Sequence, residues 1–351
     1  MVSTSTSLLL AAALLLSLTA CLPVHYSLQA GAGQLELWSQ ARPLEEVIES
    51  GRTPRRVRRL LAEVPEVKRF GEKHGLRPTS SYRKYVDLHR PAVVWAVSAC
   101  PELSLKSHLW HFPIAGSVPY LGWFDRRAAD DFAATLREER LDVEVRPVPA
   151  YSTLGWFDDP VLSSMLSPGN EGLAWLVETV LHESVHATLY IAGQSHFNEG
   201  LASFAGPRLG RRYLEEQYGA GAVAALQADR TRGAARAKSW NEGLHAAALE
   251  LDGVYQDASK SDTEKRARKH ELLSALEKLL AARRPITNAT LAQHLTYRAG
   301  EGPGGFERVL AACKDEWPCF FAKLAKVQAA DFEKPQQEKF EALLERITAA
   351  K

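Results

Sequence analysis

Hydrophobic patterning divides the chain into a part that reads as strands with some helix and a part that reads as helix alone. Ala92–Ala99 is an apolar run after Pro91. Leu109–Gly122 carries aromatic and β-branched residues punctuated by Pro113, Gly116 and Pro119, and Val143–Thr153 alternates around Pro147 and Pro149. These three stretches predict strands, and their prolines place them at sheet edges or bulges. Residues 126–139 predict a helix with Asp125 as its cap. Thr53 and Pro54 start an earlier helix as N-cap and first-turn proline. Arg55, Arg56, Arg58 and Arg59 crowd that helix, but Glu63 and Glu66 balance them, so it reads as a solvated face. Leu-Gly-Trp-Phe-Asp occurs at 121–125 and again at 154–158. The flanks do not match, so this is one local device used twice: an aromatic strand end followed by an Asp cap. Asp158-Asp159-Pro160 therefore predicts a second helix start.

From about residue 171 the pattern is helical. Leu173 to Ile191 lacks Gly and Pro and is strongly apolar, which predicts a buried helix ending at Gly193. Residues 205–285 are rich in Ala, Leu, Glu, Lys and Arg, and 257–265 reads as a polar connection between two long helices. Gly302-Pro303-Gly304-Gly305 is a loop before the last helices. The predicted class is α+β: a small sheet of N-terminal strands packed on a buried helix, then a mainly helical C-terminal region.

The start of the chain concerns location. Residues 8–16 read LLLAAALLL, a run too short to span a bilayer, which takes roughly 20 residues. Its length suits a signal-peptide core. Leu18-Thr19-Ala20-Cys21 follows and resembles a bacterial lipobox, which makes Cys21 the expected site of lipid attachment. Leu22, rather than Asp, follows the cysteine, which points to the periplasmic face of the outer membrane. The expected organisation is a signal peptide (1–20), a lipid-anchored tether (21–40), an α+β core (41–206) and a helical C-terminal region (207–351). Cys313 and Cys319 are near enough in sequence to close as a disulfide in an oxidising compartment, and Cys100 reads as a buried thiol. With 43 basic and 42 acidic residues in 351, the formal charge is +1, so no nucleic-acid partner is indicated. Hydrophobic residues at 46% and charged residues at 24% exclude a disordered chain. No GxxxxGK loop and no GxSxG elbow is present.

The chemistry lies in His182-Glu183-Ser184-Val185-His186, an HExxH. On a helix, i and i+4 share a face, so both imidazoles reach one metal ion at about 2.0–2.1 Å. Glu183 lies about 100° round the axis. It is placed to act as a general base rather than as a ligand. A catalytic zinc wants a third protein ligand and an open position. Asn198-Glu199-Gly200-Leu201-Ala202 follows, with Asn198 expected to cap a second helix and Glu199 in its first turn. Residues 193–197 are long enough to reverse the chain, so Glu199 is the predicted third ligand beside His182 and His186, with Zn2+ as cofactor.

HExxH followed by NExxA resembles the gluzincin metallopeptidases, in a version with a short gap. Ala150 to Leu162 (AYSTLGWFDDPVL), Trp110 to Gly116 (WHFPIAG), Tyr120, Gly122 and Phe124, and the order lipobox, Gly33-Gln34, HExxH, NExxA resemble a bacterial family of zinc aminopeptidases. The resemblance implies peptide substrates and exopeptidase action. It also implies HELAHQ and a glutamate late in the second helix, where this chain has Ser184-Val185, Ala187 and Gly206. If that glutamate orients a histidine, its role here is empty or has moved. Tyr151, Tyr297 and His196 are candidates for stabilising an oxyanion. The proline-punctuated strands offer an edge for binding substrate backbone by strand addition. The rival readings are a zinc endopeptidase and a lipid-anchored envelope binding or assembly protein with a non-catalytic metal site.

Overall fold

The computed structural model describes residues 22–112, 116–150, 153, 157–167, 172–300 and 305–349. Cys21 and the preceding segment, Tyr151, and Gly302–Gly304 lie outside them. The elements in chain order are α1 (Leu22–Gln40), β1 (Arg42–Pro43), α2 (Leu44–Glu49), α3 (Arg55–Lys73), β2 (Lys84–Val86), β3 (Val94–Pro101), β4 (Trp110–Phe112), β5 (Gly116–Val118), β6 (Tyr120–Trp123), α4 (Arg126–Glu138), β7 (Leu141–Val148) and β8 (Val161–Leu162). Then come α5 (Gly172–Thr188), α6 (Ser195–Gln256, with non-helical backbone at Gly219), α7 (Asp262–Leu280), α8 (Asn288–Tyr297), α9 (Phe306–Ala312), α10 (Trp317–Leu324) and α11 (Glu341–Ala349). The class is α+β with small sheets and a mainly helical C-terminal region, as the patterning predicts.

The sheet that matters for the site is antiparallel, in the order β6-β3-β7. Alternation gives it two different faces. Trp95, Val97, Ala99, Leu121, Trp123 and Val143 pack with Ala129, Ala133 and Leu136 of α4 in one hydrophobic cluster. The register pairs Ala96 with both Gly122 and Arg146, Val94 with Val148, and Ser98 with Tyr120, so these residues share the opposite face. Helix α4 begins where the sequence places it: Asp125 accepts from the Ala128 amide at 2.7 Å. Helix α8 is tied to the end of β3 by Asn288, fully buried, whose Nδ2 donates to the carbonyls of Pro101, Glu102 and Ser104.

The pairing of α5 with α6 builds the centre of the larger core. Ala202, Gly206 and Gly210 recur every fourth residue of α6 and so lie on one face. A Cβ on Gly206 would come within 3.1–3.2 Å of His182 Cβ, Cα and N, and one on Gly210 within 2.9 Å of Glu178 Cγ. Side chains there would hold the helices apart. Their absence lets the backbones approach, as small-residue stripes allow. Val177, Val180, Leu181, Leu201, Ala205 and Leu209 bury the contact on either side. A second hydrophobic cluster joins the far part of α6 to α7 through Leu244, Leu251, Leu273 and Leu276. The 257–265 connection lies between them as expected, and the α7 start carries a capping box of Ser261 and Glu264.

Four details differ from expectation. Residues 22–40, read as a tether leading into the fold, are helical and packed onto it: they form α1, with Leu37 in the large core and Tyr26 against the sheet cluster. Asp158-Asp159-Pro160 does not start a helix. Asp159 is 4% exposed, its carbonyl accepts from Tyr82 N at 2.6 Å and its amide donates to Ser81 Oγ, so the segment is pinned alongside residues 81–82 and leads into β8. Asn198 does not cap α6, which starts at Ser195 after Gln194. Its side chain instead accepts from Ile191 N and donates to Ile191 O, closing the α5–α6 turn. Helix α6 also runs through residue 207, where the sequence placed a boundary between core and C-terminal region.

Candidate metal centre

Helix α5 presents His182 and His186 one turn apart, and the first turns of α6 present Glu199 to both. The two imidazole Nε2 atoms lie 3.8 Å (His182) and 3.7 Å (His186) from Glu199 Oε2, and one ligand atom from each of the three residues lies within 4.8 Å of the others. Those separations are too long for direct hydrogen bonds. A tetrahedral ion with bonds of about 2.0–2.2 Å spaces its ligand atoms by roughly 3.4 Å. Two imidazoles and a carboxylate around such a gap are a donor set that fits zinc, and the three ligand positions predicted from the sequence are the three brought together. Glu183 points elsewhere on α5 and is not one of the cluster.

Neighbours set the chemistry of each group. Burial, and then His186, lower the His182 pKa to about 4, so its ring is neutral at neutral pH and can offer a lone pair. Burial alone would lower His186, but the Glu199 carboxylate outweighs it and holds His186 above its usual value. Burial would raise Glu199, yet His186, His182 and Arg146 together hold it down to about 2. Glu183 goes the other way: burial first, then Glu199 and Asp159, push it up to about 7 against the pull of His186. Two carboxylates on adjacent helices are thus driven apart, one permanently ionised and one poised to exchange a proton near neutrality.

Tyr120 divides the work of the Glu199 oxygens. Its hydroxyl donates to Oε1 at 3.3 Å, leaving Oε2 towards the histidines. The Glu199 charge, more than burial, holds the Tyr120 phenol well above its usual pKa, so it stays a donor. The role left open by Gly206 is also answered. The 206 position lies against the His182 backbone, with no room for a glutamate, and the Ala202 carbonyl hydrogen-bonds the His182 ring instead. His186 Nδ1 is buried without a partner among the described residues.

Of the three oxyanion candidates, Tyr297 is at the site. It shares a cleft of about 630 Å³ with His182, Glu183, His186 and Glu199. Its oxygen accepts from Arg146 Nη2 at 2.9 Å, and Arg146 Nε in turn donates to Gln293 at 2.7 Å. With its lone pair engaged by a cation, the Tyr297 hydroxyl keeps its proton for the cleft; burial raises its pKa to about 12 although Arg146 opposes this. His196 does not line the cleft; Glu338 is the charge that acts on it. Tyr151 lies outside the described residues. Sequence reasoning missed Arg146, and did not assign Tyr120 a role. Little marked Arg146 out in the sequence, since it alternates with Glu144 on the polar face of Val143–Val148 as an ordinary half-exposed strand would.

Much of the remaining wall is apolar, with Leu35, Trp38, Val94, Phe124, Val148 and Phe157, and Gln34, Thr153 and Tyr190 add polar groups to it. Among the described residues lining it, Glu183 and Glu199 are the only carboxylates. Among the described residues no helix is long and apolar enough to cross a membrane.

The family model described as "Putative aminopeptidase" matches residues 25–343, so the chain belongs to that family. The match runs from within α1 to within α11. Neither the curated proteins nor the solved structures contain a match to this chain.

Proposed function

We propose that this protein is a zinc-dependent peptidase that removes residues from the amino end of short peptides, held in the bacterial cell envelope by a lipid on Cys21. The observation that carries the catalytic part is the convergence of His182 Nε2, His186 Nε2 and Glu199 Oε2, with Glu183 beside them and Tyr297 across the same cleft. Zinc bound there supplies a Lewis acid that polarises the scissile carbonyl and lowers the pKa of water to about 7. The chain's own groups do the rest. Glu183 takes the proton of the attacking water on its carboxylate and passes it to the leaving amine, a task matched to its raised pKa. Tyr297, held by Arg146, donates to the oxygen on which charge develops. Tyr120 fixes the rotamer of Glu199. The apolar walls exclude water and favour substrates with hydrophobic side chains. Action at the amino end is supported by the family.

The test is Glu183→Gln. It keeps size and hydrogen bonding and removes the base, so the purified protein should remain folded and zinc-loaded while kcat falls about 10²–10⁴-fold on any peptide the wild type cleaves. Substitution of His182, His186 or Glu199 should instead lose zinc and activity together. Full activity in Glu183→Gln would refute the assignment. The envelope location is supported by the lipobox-like residues before Cys21 and by the disulfide between Cys313 and Cys319, a bond suited to an oxidising compartment. Cys21→Ser should abolish labelling by palmitate and release the protein from membranes; equal labelling of both forms would overturn the anchor.

A further inference from the structure

Strand β6 is an edge strand of the sheet, and edges expose backbone groups that pair readily with another strand. Here three of those groups are already taken. Gln29 Nε2 of α1 donates to the Gly122 carbonyl at 3.1 Å, and Gln29 Oε1 accepts from the Phe124 amide at 3.2 Å. The Gly122 amide donates to the Tyr26 hydroxyl at 3.2 Å. One side-chain amide thus bonds the carbonyl of residue i and the amide of i+2, as one residue of a parallel neighbouring strand would. Gly33 holds the helix close, since a Cβ there would overlap the Phe124 ring. Tyr26, Ala30, Gly31, Gln34, Leu35 and Trp38 then form one wall of the catalytic cleft.

Tyr120, at the start of the same strand, bonds the proposed metal ligand Glu199. Going along β6 from the metal centre towards Phe124, an extended peptide would meet α1 two residues on. The β4–β5 hairpin rests on the α5–α6 turn, where Gly116 meets Gly193, and Gln336 donates to the Ser117 carbonyl.

We propose that α1 is a specificity element: by occupying the β6 edge at Gly122 and Phe124 it stops an extended chain from running through the cleft and restricts substrates to short peptides and chain ends. This rests on the peptidase reading above. It gives a steric origin for exopeptidase action in a cleft where, among the described lining residues, the only carboxylates are the two assigned to the metal site.

The test uses the purified, zinc-loaded protein and two variants. Gln29→Leu keeps the side-chain volume but frees the Gly122 carbonyl and the Phe124 amide. Gly33→Leu pushes α1 off Phe124 without touching the edge groups directly. Release of the edge is read by faster hydrogen exchange at the Gly122 and Phe124 amides, and folding by cooperative thermal unfolding. The probe is a decapeptide with hydrophobic residues, acetylated and amidated at its ends, compared with the same peptide carrying a free amine. Binding of both is measured in the inactive Glu183→Gln background, and cleavage in the active protein. Two backbone hydrogen bonds of ordinary net strength correspond to roughly a tenfold gain in affinity. The blocked peptide should bind each variant about tenfold or more tightly than it binds the parent, and its cleavage relative to the free peptide should rise to match. Variants with a released edge and unchanged binding of the blocked peptide would overturn the inference. Equal binding and cleavage of both peptides by the parent would also overturn it. If the parent cleaves neither peptide, the peptidase reading fails on turnover, and the binding comparison still decides the role of α1.

Discussion

Gly206→Ala isolates the contact that brings the two ligand helices together. Two effects of opposite sign compete. In a helix interior, Ala is favoured over Gly by about 1 kcal/mol. Against this, the new methyl would lie 3.1–3.2 Å from three atoms of His182, two of them backbone. A side-chain tip could rotate away, but here a whole turn of α5 must retreat by a few tenths of an ångström. Overpacking of a well-filled core typically costs about 1–3 kcal/mol. The residues on either side, Leu181, Val185, Ala202 and Ala205, are at most 1% exposed, so nothing nearby can yield cheaply and the upper half of that range applies. The net expectation is destabilisation of about 1–2 kcal/mol. The displaced residue is a proposed ligand on α5 and the third ligand sits on α6, so zinc affinity should fall as well, because metal sites tolerate ligand errors of only about 0.2 Å. Urea denaturation of metal-free protein gives the first quantity, and competition with a chromophoric chelator the second. A variant more stable than wild type by about 1 kcal/mol, with unchanged zinc affinity, would mean that only intrinsic helix propensity acts and that the close approach does not set the site.

Two other expectations concern residues around the centre. Tyr297→Phe removes the hydroxyl that Arg146 orients while leaving every metal ligand in place, so kcat should drop about 10²–10³-fold with zinc content unchanged; activity within a few-fold of wild type in steady-state assays would exclude it as the oxyanion donor. Asp159 has its pKa raised to about 6, chiefly by burial, from 3.8. A raised folded-state pKa means that its contribution is fully present below about pH 4 and lost as pH rises through 6, a change of about 3 kcal/mol. Asp159→Asn should remove that slope from the mutant's urea stability–pH profile, so that the difference between the wild-type and mutant profiles carries it. Parallel profiles for mutant and wild type between pH 4 and 7 would show that the carboxyl is not desolvated.

The legible parts of this molecule were the local ones. His182 and His186 are four apart on one helix, Glu199 follows within a short turn, and Asp125 caps the next residues of its own chain; each depends on contacts within a few residues of sequence. Strand β7 showed as alternation because one face is apolar against α4, and β3 as an unbroken apolar run because both of its faces are buried. Helix α1 did not show. Its contact stripe is Tyr26, Gln29, Gly33 and Leu37, correctly spaced for a helix face but half polar or small, since Gln29 and Gly33 serve a strand edge rather than an apolar core. Asn198 was misread because a side chain able to cap a helix is equally able to close a turn, and only the position of Ile191 decides between them. Arg146 and Tyr297 meet across 151 residues, and nothing near either residue announces the other.

That last separation bears on how the centre comes into being during synthesis. The proposed metal ligands lie on neighbouring helices within 18 residues of chain, from His182 to Glu199, and can find each other as soon as α6 starts to form. Tyr120 joins Glu199 over 79 residues that have already been made. Tyr297 must wait for the whole α6–α7 excursion to leave the ribosome, and for α8 to be pinned by Asn288 to the end of β3. Loop closure over the longer span costs only about 0.6 kcal/mol more per doubling, so the delay is one of timing rather than of energy. On the reading proposed above, a nascent chain would be able to gather metal well before Tyr297 joined it, and the cleft would be complete only when nearly all of the protein had been made.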